Sequence, residues 1–133
     1  MSLAIKRVYD PPDASDEMRV LVDRLWPRGM SKARAKIDRW EKELAPSDAL
    51  RRWFGHDPAK WTGFRKRYAN ELKAHADEMR ELVAAARRGR VTLLYAARDE
   101  EHNNAVVLVE FMKKRTRVRR AKSAAPARRT ARK

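Results

Sequence analysis

Met18-Arg19-Val20-Leu21-Val22-Asp23-Arg24-Leu25 holds three consecutive aliphatic side chains, at Val20, Leu21 and Val22. Successive side chains on a strand point to opposite faces, so an uninterrupted apolar triplet means that both faces are covered. The stretch reads as an interior strand, the central one of its sheet. It stops at Trp26-Pro27-Arg28-Gly29, where Pro27 has no amide proton and Gly29 admits positive φ. A second buried strand, Val91-Thr92-Leu93-Leu94-Tyr95-Ala96-Ala97, runs into the polar loop Arg98-Asp99-Glu100-Glu101-His102. Residues 3–9 form a weaker strand that ends at Asp10-Pro11-Pro12-Asp13, which cannot continue a ladder.

Helical signals separate these strands. Ser31 can cap a turn through Ala35. Residues 37–44 stay open between strand and helix, because Ile37, Trp40 and Leu44 fit helical spacing in a segment too short to decide. Ser47 caps a helix through Phe54, with Leu50, Trp53 and Phe54 on one side and Gly55 as its stop. After an Asp57 cap, Trp61, Phe64, Tyr68, Leu72 and His75 step along one face, His75 as a core histidine. The pattern continues or restarts at Asp77, with Met79, Leu82, Val83 and Ala86, and closes at Arg87-Arg88-Gly89. The run from Ala105 to Met112 is read as a helix capped by Asn103 or Asn104, its basic residues from Lys113 suiting a helix C-terminus. Strands alternating with helices predict an α/β fold, a small, mainly parallel sheet layered with helices.

At 133 residues there is room for one core. Charge divides the chain: residues 113–133 carry eleven of the bases and no acid, whereas residues 1–112 hold 22 bases against 18 acids. Residues 1–116 are therefore the expected domain. Residues 117–133 have no large apolar side chain after Val118 and are the expected disordered basic tail. Such a tail suits a polyanion, nucleic acid above all. There is no cysteine, which excludes disulfides, thiolate metal sites and a cysteine nucleophile. The three histidines lack zinc-ligand spacing, and no phosphate loop, dinucleotide fingerprint or nucleophile elbow occurs, so neither a metal nor a cofactor is expected. With no run of 18 apolar residues and no signal-peptide pattern at Met1-Ser2-Leu3-Ala4-Ile5-Lys6, no membrane association is expected and the cytoplasm is the expected address.

The string Asp23-Arg24-Leu25-Trp26-Pro27-Arg28-Gly29 resembles the DUF488 family, in its YeaO-like branch. So do Leu44-Ala45-Pro46-Ser47, Leu50-Arg51-Arg52-Trp53-Phe54, Glu71-Leu72 and Leu93-Leu94-Tyr95-Ala96-Ala97-Arg98-Asp99 with Asn103-Asn104. The resemblance spans about residues 3–114 and implies an α/β fold; the family's function is not known. Other branches resemble one another in a cysteine after the late strand and a Cys-His-Arg string opening the next helix. Here His102-Asn103-Asn104 stands in that region, so this chain has no thiol for such chemistry.

In a parallel sheet, ligands bind where loops leave the carboxyl ends of the strands. Two loops do so here, residues 23–31 and 98–104, and if their strands are neighbours the two meet at one rim. The anion reading takes Arg24, Arg28, Lys32, Asn103 and Asn104 as ligands, with phosphate the expected guest. Asp23, Asp99 and His102 are the candidates for acid–base work, His102 because its ring titrates near neutral pH beside carboxylates. Trp26 is a candidate for stacking or a partner contact. The alternative is structural: Asp23 pairs with Arg28 or Arg98 to lock two loops, Trp26-Pro27 is a packed corner, and Glu100 and Glu101 satisfy the nearby helix end. Three functions follow: a nucleic-acid-associated binding protein with an anion site, an enzyme or sensor for a small phosphorylated or carboxylated ligand, and a protein-interaction module docking through Trp26.

Overall fold

The protein's structure is a computed structural model that describes residues 1–116. The expected tail, residues 117–133, lies outside the described residues. Four strands form one sheet: β1 (Ser2–Arg7), β2 (Met18–Leu21), β3 (Arg39–Trp40) and β4 (Arg90–Tyr95), in the order β1-β4-β2-β3. All three pairings are parallel. Helices α1 (Lys32–Ala35), α2 (Asp48–Phe54), α3 (Trp61–Leu72) and α4 (Ala76–Arg88) precede β4, and a fifth, α5, covers residues 104–116. None is long and apolar enough to cross a membrane among the described residues.

The aliphatic triplet explains the layering. Val20 and Val22 enter the large core with Val91, Leu93 and Tyr95 of β4, against Phe64, Tyr68, Leu82 and Leu108 from the helices. Leu21 and Leu94 point to the opposite face, where Val8, Trp26, Ile37 and Trp40 cover them. Both faces of β2 and β4 are thus buried, as their sequences predict. The parallel strands end with their carboxyl ends on one side, which is where a site can form.

The interior strand is shorter than the expected 18–25. Val22 still donates to the Leu94 carbonyl at 3.1 Å, but one residue later the ladder passes to a side chain: the Ala96 amide donates to Asp23 Oδ2 at 2.9 Å. A carboxylate here replaces a strand carbonyl and lets the main chain turn away. Trp40 Nε1 then fixes the departing chain by donating to the Asp23 carbonyl at 2.8 Å.

The open segment 37–44 resolves into β3 followed by a 3-10 turn at Lys42–Leu44, with Ile37 and Trp40 under one sheet face and Leu44 in the main core. Ser31, Ser47 and Asp57 cap their turns as their types predict, and Gly55 ends α2 at φ 52°. Glu71 of α3 reinforces the second cap, accepting from Ser47 Oγ at 2.6 Å and from its amide at 2.8 Å. His75 is not a core residue. A 3-10 turn at Lys73–His75 breaks the helical phase after Leu72, leaving His75 half-buried 3.7 Å from Glu78.

Candidate functional site

β2 and β4 are paired neighbours, so the loops that follow them meet. Between them lies a cleft of about 780 Å³, within the size range of small-molecule sites. Asp23 and Asn104 form its floor. Asn104 Nδ2 donates to the Val22 carbonyl at 2.8 Å and to Asp23 Oδ1 at 3.0 Å, tying the end of β2 to the start of α5. Each Asp23 carboxylate oxygen therefore accepts one N–H and keeps a lone pair for another. Burial lifts this carboxyl above its ordinary value, against the opposing effect of the two bonds and of the nearby Arg51 and His56 charges.

The expected ion-pair lock is replaced by another: Asp23 joins the two loops through an asparagine and a main-chain amide. Among the described residues Asp23 pairs with neither Arg28 nor Arg98. Arg24 lines the cleft with its guanidinium seated on the carbonyls of Pro46 and Ala45, at 3.2 and 3.5 Å. Arg28 lines it from the exposed rim, where Tyr9 holds the loop by donating its hydroxyl to the Arg28 carbonyl at 2.9 Å. Trp26 is half-buried on the same wall. Its Nε1 donates to the Met30 carbonyl at 2.6 Å and its ring meets Trp40 edge-on at 5.4 Å, a packed corner with one side open to the cleft.

The loop after β4 supplies the other wall. Asp99 Oδ1 accepts from the amides of Glu101 and His102, both at 2.9 Å, and Oδ2 stands 2.9 Å from His102 Nδ1. Those two amides, with the imidazole, hold the Asp99 carboxyl below its ordinary value. His102 lines the cleft with its ring edge-on to Trp61 at 5.1 Å; Asp99 stands behind it, outside the lining. Asn103 is the buried cap of α5: its Oδ1 accepts from Val106 N at 3.1 Å and its Nδ2 donates to the Asp99 carbonyl at 2.9 Å. Both ends of that amide are thereby engaged. Lys32 lies exposed on α1 and is not part of the lining, and neither are Glu100 and Glu101.

A family model described as the inactive DUF488-N3 subclade matches residues 2–129. The chain belongs to the DUF488 family. It is 42% identical over 113 residues to the uncharacterised protein YeaO of Escherichia coli (strain K12), covering 85% of this chain and 98% of that one. It is 38% identical over 110 residues to the uncharacterised protein Rv3073c of Mycobacterium tuberculosis (strain H37Rv), covering 81% of this chain and 91% of the relative. No solved structure matches. The family match continues to residue 129, past the last residue of the quoted motifs.

In this DUF488 protein the string runs from the cleft floor at Asp23 into a wall: Arg24, Leu25, Trp26, Pro27 and Arg28 all line it. Four lining residues carry no signal in a reading by strand ends alone, namely Arg51, Phe54, His56 and Phe64. They come from α2, the turn after it and α3, which read as scaffold because their apolar spacing is that of core helices. Only the folded backbone reveals why His56 reaches the site. His56 follows Gly55 and, like it, has a left-handed backbone, at φ 57°, a conformation uncommon outside glycine. That turn brings the His56 side chain back over the cleft, 6.2 Å from the Phe54 ring.

Proposed function

We propose that this DUF488 protein binds a small phosphate-like oxyanion in the cleft between residues 23–28 and 96–104. What carries the reading is the charge of the lining: Arg24, Arg28 and Arg51, beside the rings of His56 and His102, surround a cleft whose single acid among the described residues, Asp23, already accepts two N–H bonds. Guanidinium groups recognise oxyanions through charge-assisted, often bidentate bonds. Arg28 is the residue best placed to move onto a ligand, because its side chain makes no hydrogen bond or ion pair among the described residues. Arg24 is held by carbonyls, and Arg51 shares its charge with Asp48 at 3.2 Å. The α5 amide of Val106 is satisfied by Asn103, so the reading rests on side chains rather than on a helix end.

A catalytic reading finds one supporting feature, the Asp99–His102 pair, which could hold a ring nitrogen ready for proton transfer. The matching subclade's description as inactive supports binding over turnover. The basic residues 113–133 suit a second, sequence-independent contact to nucleic acid, which is what would place this protein among nucleic-acid-associated ones.

The test is calorimetric titration of inorganic phosphate into the full chain at low salt. Each charge-assisted bond contributes roughly 1.5–3 kcal/mol, so Arg28→Ala should weaken binding about tenfold or more, with an unchanged melting midpoint. Lys32→Ala, which removes an equal charge outside the cleft, should leave affinity within about twofold. Equal losses in both variants would reduce the effect to general charge and sink the cleft site.

A further inference from the structure

The cleft is larger and chemically more divided than an oxyanion requires. Its cationic groups stand on the rim and side wall, whereas its floor presents acceptors and its inner wall is aromatic. On the floor, Asp23 keeps one free lone pair on each carboxylate oxygen, and Asn104 Oδ1 has no hydrogen-bond partner among the described residues. An anion cannot settle on that floor, because the carboxylate and amide oxygens would repel it. The floor fits a neutral group that donates N–H bonds. Beside it, half-buried Trp26 lines the cleft, whereas Phe54 and Phe64, 6% and 2% exposed, stack on each other at 4.3 Å and close the inner wall. An indole face accepts a flat, conjugated ring.

Given the oxyanion reading above, we propose that the ligand is a nucleoside monophosphate, its base edge donating to Asp23 and Asn104, its ring against Trp26 and its phosphate at the arginine rim. Guanine fits best. Its N1–H and exocyclic N2–H stand side by side and match the two oxygens of one carboxylate, whereas the corresponding edge of adenine offers an acceptor beside a single donor group. A site built on buried acceptors discriminates strongly against ligands that leave them unpaired.

Calorimetric titrations of the full chain with GMP, AMP, ribose 5-phosphate, guanosine and inorganic phosphate separate the two readings. Residues 113–133 present the same charge to every phosphate-bearing probe, so differences among those probes report on the cleft. GMP should bind at least tenfold more tightly than ribose 5-phosphate, with AMP near the latter. GMP equal to ribose 5-phosphate would overturn the base assignment while leaving the oxyanion site standing. Guanosine binding as tightly as GMP, with no phosphate binding, would do the reverse. In Asp23→Asn the preference for GMP over ribose 5-phosphate should fall below about threefold. A melting curve establishes that this variant is folded, and the wild-type ligand series decides the question if it is not. An undiminished preference in folded Asp23→Asn would also overturn the base assignment.

Discussion

Replacing Arg19 with leucine should cost the protein about 3 kcal/mol of stability, the lower end of the range for breaking a buried ion pair, because it removes one of two cations from a buried carboxylate. Arg19 is 4% exposed and Asp16 6% exposed at the amino end of the sheet, opposite the cleft. One guanidinium nitrogen of Arg19 lies 2.5 Å from Asp16 Oδ2, and its other N–H groups donate to the carbonyls of Ala35 and Lys36 at 2.9–3.2 Å. The same side chain therefore neutralises Asp16 and closes the end of α1. Lys6 Nζ, 3.1 Å from Asp16, would be the only cation left on it among the described residues.

The pH dependence of this loss has a definite sign. Burial pushes the Asp16 carboxyl up, but the Asp13 amide, Lys6 and Arg19 together outweigh it and hold the group below its ordinary 3.8. A depressed carboxylate stabilises the fold above the unfolded value and loses that contribution as pH falls through the folded one. Without Arg19 one of the three bonds that depress it is lost, and the carboxyl rises. The deficit of Arg19→Leu should therefore be full at pH 7 and shrink as pH drops below about 4. Urea unfolding at several pH values measures it. A deficit that is constant with pH would assign the loss to packing rather than to the lost ion pair.

What the sequence disclosed and what it hid follow from one distinction, between local and assembled signals. The Val20-Leu21-Val22 triplet dictates a covered strand whatever surrounds it, and Ser31, Ser47 and Asp57 cap their turns through bonds that reach only two or three residues. The meeting of Asp23 with Asn104 was also legible, because parallel strands carry their outgoing loops to a common edge. Arg19 and Asp16 gave no such hint. An arginine inside a strand and an aspartate in a loop read as surface residues until β4 and α1 are packed around them. Arg51 and His56 were hidden for a related reason: which side of α2 faces the cleft depends on how α2 sits over the sheet, a relation between elements distant in sequence. The end of β2 was misjudged because Asp23 itself takes over a ladder bond, and propensity does not describe a side chain acting as main chain.

Phe64→Ala should cost about 3–5 kcal/mol, the usual range for emptying a buried phenylalanine site. Phe64 belongs to the cleft wall and to the core at once. Only 2% exposed, it stacks on Phe54 at 4.3 Å and meets Trp61 at 5.7 Å and Tyr68 at 5.6 Å. Two effects pull in opposite directions. Losing three aromatic neighbours adds to the lost transfer energy, since such pairs contribute roughly 0.5–1.5 kcal/mol beyond area. The new hole adjoins the cleft, however, so water and the Arg24 loop can relax into it, and the cost of a cavity falls when its walls can move. The lower half of the range is therefore expected. Urea denaturation should show the midpoint falling with the slope unchanged, the mark of lost stability rather than an altered unfolded state. A change within about 0.5 kcal/mol, as at exposed positions, would mean that Phe64 lines the cleft without supporting the core. With the expected loss, the wall offered to a ligand is itself a packed part of the fold, its shape set before any ligand arrives. Affinity in Phe64→Ala should then fall for nucleotide probes, which fill the cleft to that wall, while inorganic phosphate, held at the rim, is spared.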